Sequence, residues 1–314
     1  SGRLVASKVY ISYRLWKLID EIIVNAADRV VSTPHYSLKE GGPTTMVGIT
    51  FDSNTGRITV SNNGQGFPVV PASYLKRNNK GFTAAMTNKW MPEVLCTSPH
   101  AGSNHQIHPD KVTGGINGIG IKGVIANCKE VEIETVDVVQ GRWYKQVFHG
   151  LNNPEPPKVV EFGNDEDYDR VEVEESMPVY EDNLSPGQKV PHTRFSFIPD
   201  YDNLCRESAG QTNKGWFQDP ENRRNLADLI EARAYHLAGY LASLTYRYYE
   251  NVRYEYKLPT KVSFNGNTIP IRSFEGYASL YEGIKSGMTI EFADKIRFPW
   301  KIYLGFTDTP SKSR

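Results

Sequence analysis

The sequence predicts an α+β fold, a sandwich of sheet and separate helices. Three observations predict it. Alternating apolar runs come in pairs joined by short turns: 46–52 with 57–63, 131–139 with 143–149, and a hairpin over 261–271 turning at Asn265-Gly266. Long helical patterns stand apart from these pairs and do not alternate with single strands, which disfavours a doubly wound parallel sheet. At 314 residues the chain suits one large domain or two smaller ones.

Each element has its own signal. From Tyr13 to about Val31, Leu15, Leu18, Ile19, Ile22, Ile23, Ala26, Ala27 and Val30 make a helix apolar on most sides, hence a buried one. It keeps one polar stripe: Glu21, Asn25 and Asp28 lie at i, i+4 and i+7, on a single face. The run from Phe67 to Lys111 is long, irregular and rich in Pro, Gly, Asn and His, the pattern of a functional loop. Glycines at 114, 115, 118, 120 and 123 then lead into a helix start at Val124–Ala126. The acidic stretch 164–175 reads as a solvated loop or edge. Thr193–Ile198 reads as a strand. Asp219-Pro220-Glu221 marks a helix start, an acid at the N-cap and Pro at the first helical position, and the pattern carries that helix to about Tyr248. A short helix over 274–284 and a strand over 301–306 follow. There is no internal repeat.

Composition narrows the function. Thirty-six basic residues balance thirty-six acidic ones, and aromatics make up 11%. A disordered tail or a module living by phosphate contacts alone is excluded. No apolar run reaches membrane-spanning length, and no leader pattern opens the chain. Ser1-Gly2 reads as a tag scar, so both ends are taken as artificial. Cys96, Cys128 and Cys205 are sparse and without CxxC spacing, which argues for a reducing compartment and against a disulfide or zinc scaffold.

Three features could carry chemistry. In the polar stripe, Glu21 offers a general base and Asn25 an oxygen for a hard cation; a solvent-exposed helix flank explains the stripe equally well. After a strand, Ser61-Asn62-Asn63-Gly64-Gln65-Gly66-Phe67-Pro68 lets backbone approach a flat ligand, and a plain Asn-Gly turn explains that segment better by itself. The run Thr113-Gly114-Gly115-Ile116-Asn117-Gly118-Ile119-Gly120-Ile121-Lys122-Gly123 feeds a helix start with converging N–H groups, an anion-binding pattern. It lacks the strand of a dinucleotide fingerprint and the Lys-Ser/Thr pair of a Walker loop. His100, His105 and His108 cluster without a ligand partner set.

In this order, the three features resemble the ATP site of the GHKL superfamily. The likeness is strongest to the N-terminal ATPase domain of type IIA DNA topoisomerases of the eukaryotic and large-virus kind. The run from Asp20 to Asp28 resembles the family's DEILVNAAD box, and Thr113 to Lys122 its TGGRNGYGAK loop. Pro92-Glu93-Val94, Ser103-Asn104 and 262–266 resemble further family elements, so the likeness covers nearly the whole chain. It implies the GHKL (Bergerat) sandwich, a mixed and mostly antiparallel sheet with helices on one face. Residues 1–285 would form the ATPase domain and 286–314 the beginning of a transducer domain.

The resemblance also implies roles. Glu21 would polarise the attacking water and Asn25 would ligate Mg2+. Asn62 would face adenine, with Asp28 and Gly66 nearby. Ser103 and Asn104 would touch ribose and phosphates. Thr113, Gly115, Asn117, Gly118, Ile119, Gly120 and Lys122 would hold the β- and γ-phosphates. ATP and Mg2+ are the implied cofactors. DNA is the implied partner, met mainly through other parts of a full-length enzyme that dimerises on ATP binding. The family's exchanging strap would precede Ser1, and its phosphate-sensing lysine would lie beyond the chain. A nuclear location is implied, or the cytoplasm, viral factory or virion for a viral protein; no membrane is involved. The sequence departs from the family at Arg29 (Asn), Asn63 (Asp), Gly102 (Ser) and Ile116 (Arg). A mismatch-repair clamp or a chaperone clamp of the Hsp90 type would use the same fold, and the spelling of the glycine loop discriminates against the chaperone.

Overall fold

A computed structural model describes residues 4, 9–33, 35–74, 86, 88–98, 120–163, 170–206, 213–244, 246–249, 252–255, 260–281, 286–292 and 300–306. The first helix, α1, spans Tyr13–Ser32. Strands β1 (Met46–Phe51) and β2 (Ile58–Asn63) follow as the expected hairpin. Next come α2 (Met91–Thr97), α3 (Gly120–Ala126), β3 (Cys128–Asp137), β4 (Arg142–Phe148), β5 (Lys158–Glu161) and β6 (His192–Pro199). A single turn, α4 (Tyr201–Leu204), precedes the long α5 (Pro220–Ala242). The remainder holds β7 (Tyr246–Tyr249), β8 (Val252–Glu255), β9 (Lys261–Phe264), β10 (Asn267–Thr268), α6 (Phe274–Ala278), β11 (Ser286–Phe292) and β12 (Trp300–Phe306).

Eight strands form one sheet in the order β10-β9-β1-β2-β6-β3-β4-β5. Among the pairs of described strands in this sheet, β1–β9 is parallel and the rest are antiparallel, so the sheet is mixed and mostly antiparallel. The β9–β10 turn uses Asn265 at φ 46 and Gly266 at φ 80, the paired left-handed conformations that make Asn-Gly a hairpin turn.

Period-2 alternation sends Val47, Ile49 and Phe51, Ile58 and Val60, Val131 and Ile133, and Phe195 and Phe197 into one core with α1, α3 and α5. α1 contributes nine buried residues, from Leu15 to Val31. Arg233 on α5 donates to Asp20 on α1 at 2.7 Å, which ties the two long helices together. α5 opens as its sequence demands: the Asp219 carboxylate accepts from the Glu221 N–H at 2.8 Å, and Pro220 takes the first helical position.

Several elements differ from the sequence expectation. α5 stops at Ala242, and 246–255 form the β7–β8 hairpin, with Tyr246 opposite Glu255. The aromatic run Tyr246-Arg247-Tyr248-Tyr249 suits a strand better than a helix end. α2 is a helix inside the segment read as irregular, with Pro92 in its first turn. α6 ends at Ala278, short of residue 284. β5 and β11 were not expected from the sequence; β5 is only four residues long, between the Pro-rich run 154–157 and Gly163. Among the described residues, no helix is long and apolar enough to cross a membrane.

Candidate functional site

The helix-covered face of the central strands changes character in one register step. Ile58, Phe197 and Val131 pair across β2, β6 and β3, and Val60, Phe195 and Ile133 form the next row. The third row is Asn62, Thr193 and Thr135. All three are buried. A polar row at the end of an apolar face needs partners or a ligand. Asn62 Nδ2 donates to the Asn63 carbonyl at 3.0 Å. The hydroxyls of Thr135 and Thr193 lie 3.1 Å apart. Neither threonine was foreseen. Their place beside Asn62 comes from pairing between segments far apart in sequence, which local patterns do not encode.

The turn leaving β2 is pinned on three sides. The Gln65 N–H donates to the Gly42 carbonyl at 3.1 Å. The Phe67 N–H donates to the Thr135 hydroxyl at 2.9 Å. Arg29 on α1 donates to the Gln65 carbonyl at 2.8 Å and to its side-chain oxygen at 3.4 Å. Burial lowers the Arg29 pKa, and Tyr36 acts weakly the other way. Gly66 lies so close to β3 that a Cβ there would overlap the Val136 carbonyl and the Thr135 hydroxyl. Asn63 accepts from the Thr45 and Met46 N–H groups at 2.9 and 2.8 Å. An amide therefore anchors the strand end.

Glu21, Asn25 and Asp28 are each half-buried on α1. Glu21 pairs with Lys17, one turn earlier, at 2.8 Å. That bond raises the Lys17 pKa, partly offset by burial. The first residue of α3, Gly120, packs against the same carboxylate. A Cβ at Gly120 would overlap the Glu21 Oε2 atom and stand 3.1 Å from its Cδ. The polar stripe and the end of the glycine-rich run therefore meet directly.

Lys122, two residues into α3, is buried and donates from Nζ to the Leu95 carbonyl in α2 at 2.7 Å. Burial lowers its pKa. Beside it the Cys96 thiol is pushed up to about 12, chiefly by burial, so it is inert as a nucleophile. Cys128 and Cys205 are also free and buried. Ser103, Asn104, Thr113, Gly115, Asn117, Gly118 and Ile119 lie outside the described residues, as do His100, His105 and His108.

The mixed eight-stranded sheet, with α1, α3 and α5 packed on one face among the described residues, is the GHKL-like class of fold. No family model matches the chain. Its homologues are eukaryotic and viral DNA topoisomerase 2 proteins. The probable DNA topoisomerase 2 of Dictyostelium discoideum is 25% identical over 301 residues, covering 96% of this chain and 15% of that protein. The DNA topoisomerase 2 of Acanthamoeba polyphaga mimivirus is 28% identical over 190 residues, 60% of this chain and 11% of that one. In fold, the chain matches the ATPase and transducer domains of DNA topoisomerase II from Balamuthia mandrillaris with a TM-score of 0.63 at 23% identity, covering 96% of this chain and 58% of that one. The ATPase region of Saccharomyces cerevisiae topoisomerase II matches with the same score at 22% identity, covering 96% and 60%. The chain spans only 10–15% of the length of the curated relatives it matches.

Proposed function

We propose that this chain is the ATP-binding and hydrolysing gate of a type II DNA topoisomerase, driving passage of one duplex through another. The observation that carries the reading is the convergence of three separated segments on one side of the sheet. These are the α1 stripe with Glu21 and Asn25, the polar row ending in Asn62, and the start of α3 at Gly120.

The chemistry follows from these positions. Phosphoryl transfer to water needs positioning and charge neutralisation more than covalent catalysis. Glu21 orients the attacking water and accepts its proton, while Lys17 holds the carboxylate in place. Gly120 leaves room for that carboxylate beside the helix that follows the glycine loop. Asn62 presents its amide to the base edge, with Asp28 and Gly66 bordering it. Residues 113–122 supply N–H groups to the phosphates, and Ser103 and Asn104 the ribose contacts. The described residues contain no group of three or more His, Cys, Asp or Glu able to hold a metal ion by themselves. Mg2+ would be held by the amide oxygen of the half-buried Asn25 together with phosphate oxygens and water. When bound, Mg2+ neutralises phosphate charge.

In this reading residues 1–285 form the ATPase domain and 286–314 open a transducer. Among the described residues β11 pairs with β12 in a sheet separate from the large one, which supports a boundary there. DNA and a second subunit are partners of the whole enzyme.

The test is Glu21→Gln in the full-length protein. ATP binding should stay within about twofold, while hydrolysis falls by at least about 100-fold, the usual scale for losing a general base. Turnover at the wild-type rate would remove Glu21 from the mechanism.

A further inference from the structure

Arg29 occupies a position where the resembling family carries Asn, and it reaches from the catalytic helix to the turn beside the base-facing residue. Of the three pins on that turn, two come from neighbouring backbone and sheet: the Gly42 carbonyl and the Thr135 hydroxyl. The third comes from α1, where Arg29 stands four residues after Asn25 and so on the same side of the helix. Its strongest bond goes to a main-chain atom, the Gln65 carbonyl at 2.8 Å. It therefore fixes where the backbone runs, whatever side chain stands at 65. A charge-assisted bond of this kind, made by a half-buried guanidinium, is among the stronger ones available to a loop.

The turn in question carries the chain from Asn62 to Gly66, and Gly66 has no slack against β3. Asn62 and Asn63 are held in the sheet by β1 and β6 and by the Thr45 and Met46 N–H groups, so what Arg29 adds is the path of the backbone from Gly64 to Gly66 relative to α1. We infer that Arg29 is a positioning residue for base recognition: it locks the Gly64–Gly66 turn to α1 and so sets the Gly66 wall of the base site relative to the Glu21–Asn25 stripe. The inference rests on the nucleotide-binding reading above. Arg29 touches no reacting atom in this scheme, and its removal should leave the phosphate half of the site intact.

The experiment measures binding of Mg-ATP, Mg-GTP and Mg-tripolyphosphate to the 314-residue chain by calorimetry. The variants are Arg29→Ala and Arg29→Met, the second filling the arginine's volume so that a folded protein is secured. Gln65→Ala, which keeps the carbonyl, serves as the control. Both Arg29 variants should weaken ATP about tenfold or more, the loss expected for one charge-assisted hydrogen bond. They should shrink the preference for ATP over GTP and leave tripolyphosphate unchanged. Gln65→Ala should cost no more than about twofold, in keeping with the long side-chain contact. Equal weakening of ATP and tripolyphosphate would make Arg29 a general structural residue and overturn the inference. Unchanged ATP binding in Arg29→Met would overturn it too, while leaving the ATPase reading standing. A wild-type chain that binds tripolyphosphate but no ATP would overturn both.

Discussion

Neighbouring residues on β3 belong to two different worlds. Ile133 faces the helices and is fully buried in hydrocarbon, while Glu134 faces the other way and is ringed by charge. The helix-covered face is built in apolar rows and reserves only its last row, Asn62–Thr193–Thr135, for polar atoms. The opposite face carries cross-strand ion pairs, Arg57 with Glu130, Lys145 with Glu132, and Arg194 and His192 with Glu134, beside a smaller buried apolar patch of Val136, Trp143 and Val160. The contrast teaches that the main core and the polar row share one face, separated by a single step in register, whereas the charged rows of the other face respond to pH and salt.

The sharpest way to break this contrast is to cut into the apolar rows. Phe197→Ala empties the row shared with Ile58 and Val131 and should cost about 3–5 kcal/mol, read as a fall in the urea midpoint. A loss under about 1 kcal/mol would mean that the covered face does not carry the fold.

Glu134→Gln comes next. Burial pushes this carboxyl up, but hydrogen bonds from His192 and Trp143 and the charges of Arg194 and His192 outweigh it and hold the pKa at about 2. The depressed value has a definite sign. The carboxylate stabilises the fold fully above its unfolded pKa of about 4.3, and that contribution drains away as pH falls toward 2. Removing the charge should cost roughly 1–3 kcal/mol at pH 7. It should also flatten the stability profile between about pH 4.3 and 2, checked by denaturation at several pH values.

The smallest effect belongs to Lys145→Ala. Its pair with Glu132 at 2.8 Å is partly exposed, with the lysine side chain 37% accessible. The loss should stay below about 1 kcal/mol and vanish in high salt. A larger, salt-insensitive loss would move the open face into the structural class.

Much of this arrangement was legible beforehand, and the gaps have physical reasons. α1 could be read because Leu15 through Val30 repeat at helical spacing, and its polar stripe because Glu21, Asn25 and Asp28 break that repeat on one side only. The β9–β10 hairpin could be read because Asn265-Gly266 tolerates two left-handed residues. β7 falls in the last turn of the helix expected to reach about Tyr248, because the apolar spacing of α5 runs on through its tyrosines and only strand propensity marks the true terminus. Thr135 and Thr193 looked like ordinary strand residues; only the register against Asn62 gives them meaning. Arg29 was visible as a departure from the family, yet its target is a backbone carbonyl, and no side-chain pattern can name such a partner.

The pairing of β1 with β9 has a consequence for how the molecule comes into being. Met46 through Ile49 lie parallel to Lys261 through Phe264, with most of the chain threaded between them. Loop closure over such a separation is slow relative to local hairpins. During synthesis, β1 must therefore wait beside β2 with one edge unpaired until nearly the last strand of the sheet has left the ribosome. Exposed edges of that kind invite association between nascent chains, so the speed of translation past residue 261 bears directly on the yield of folded protein.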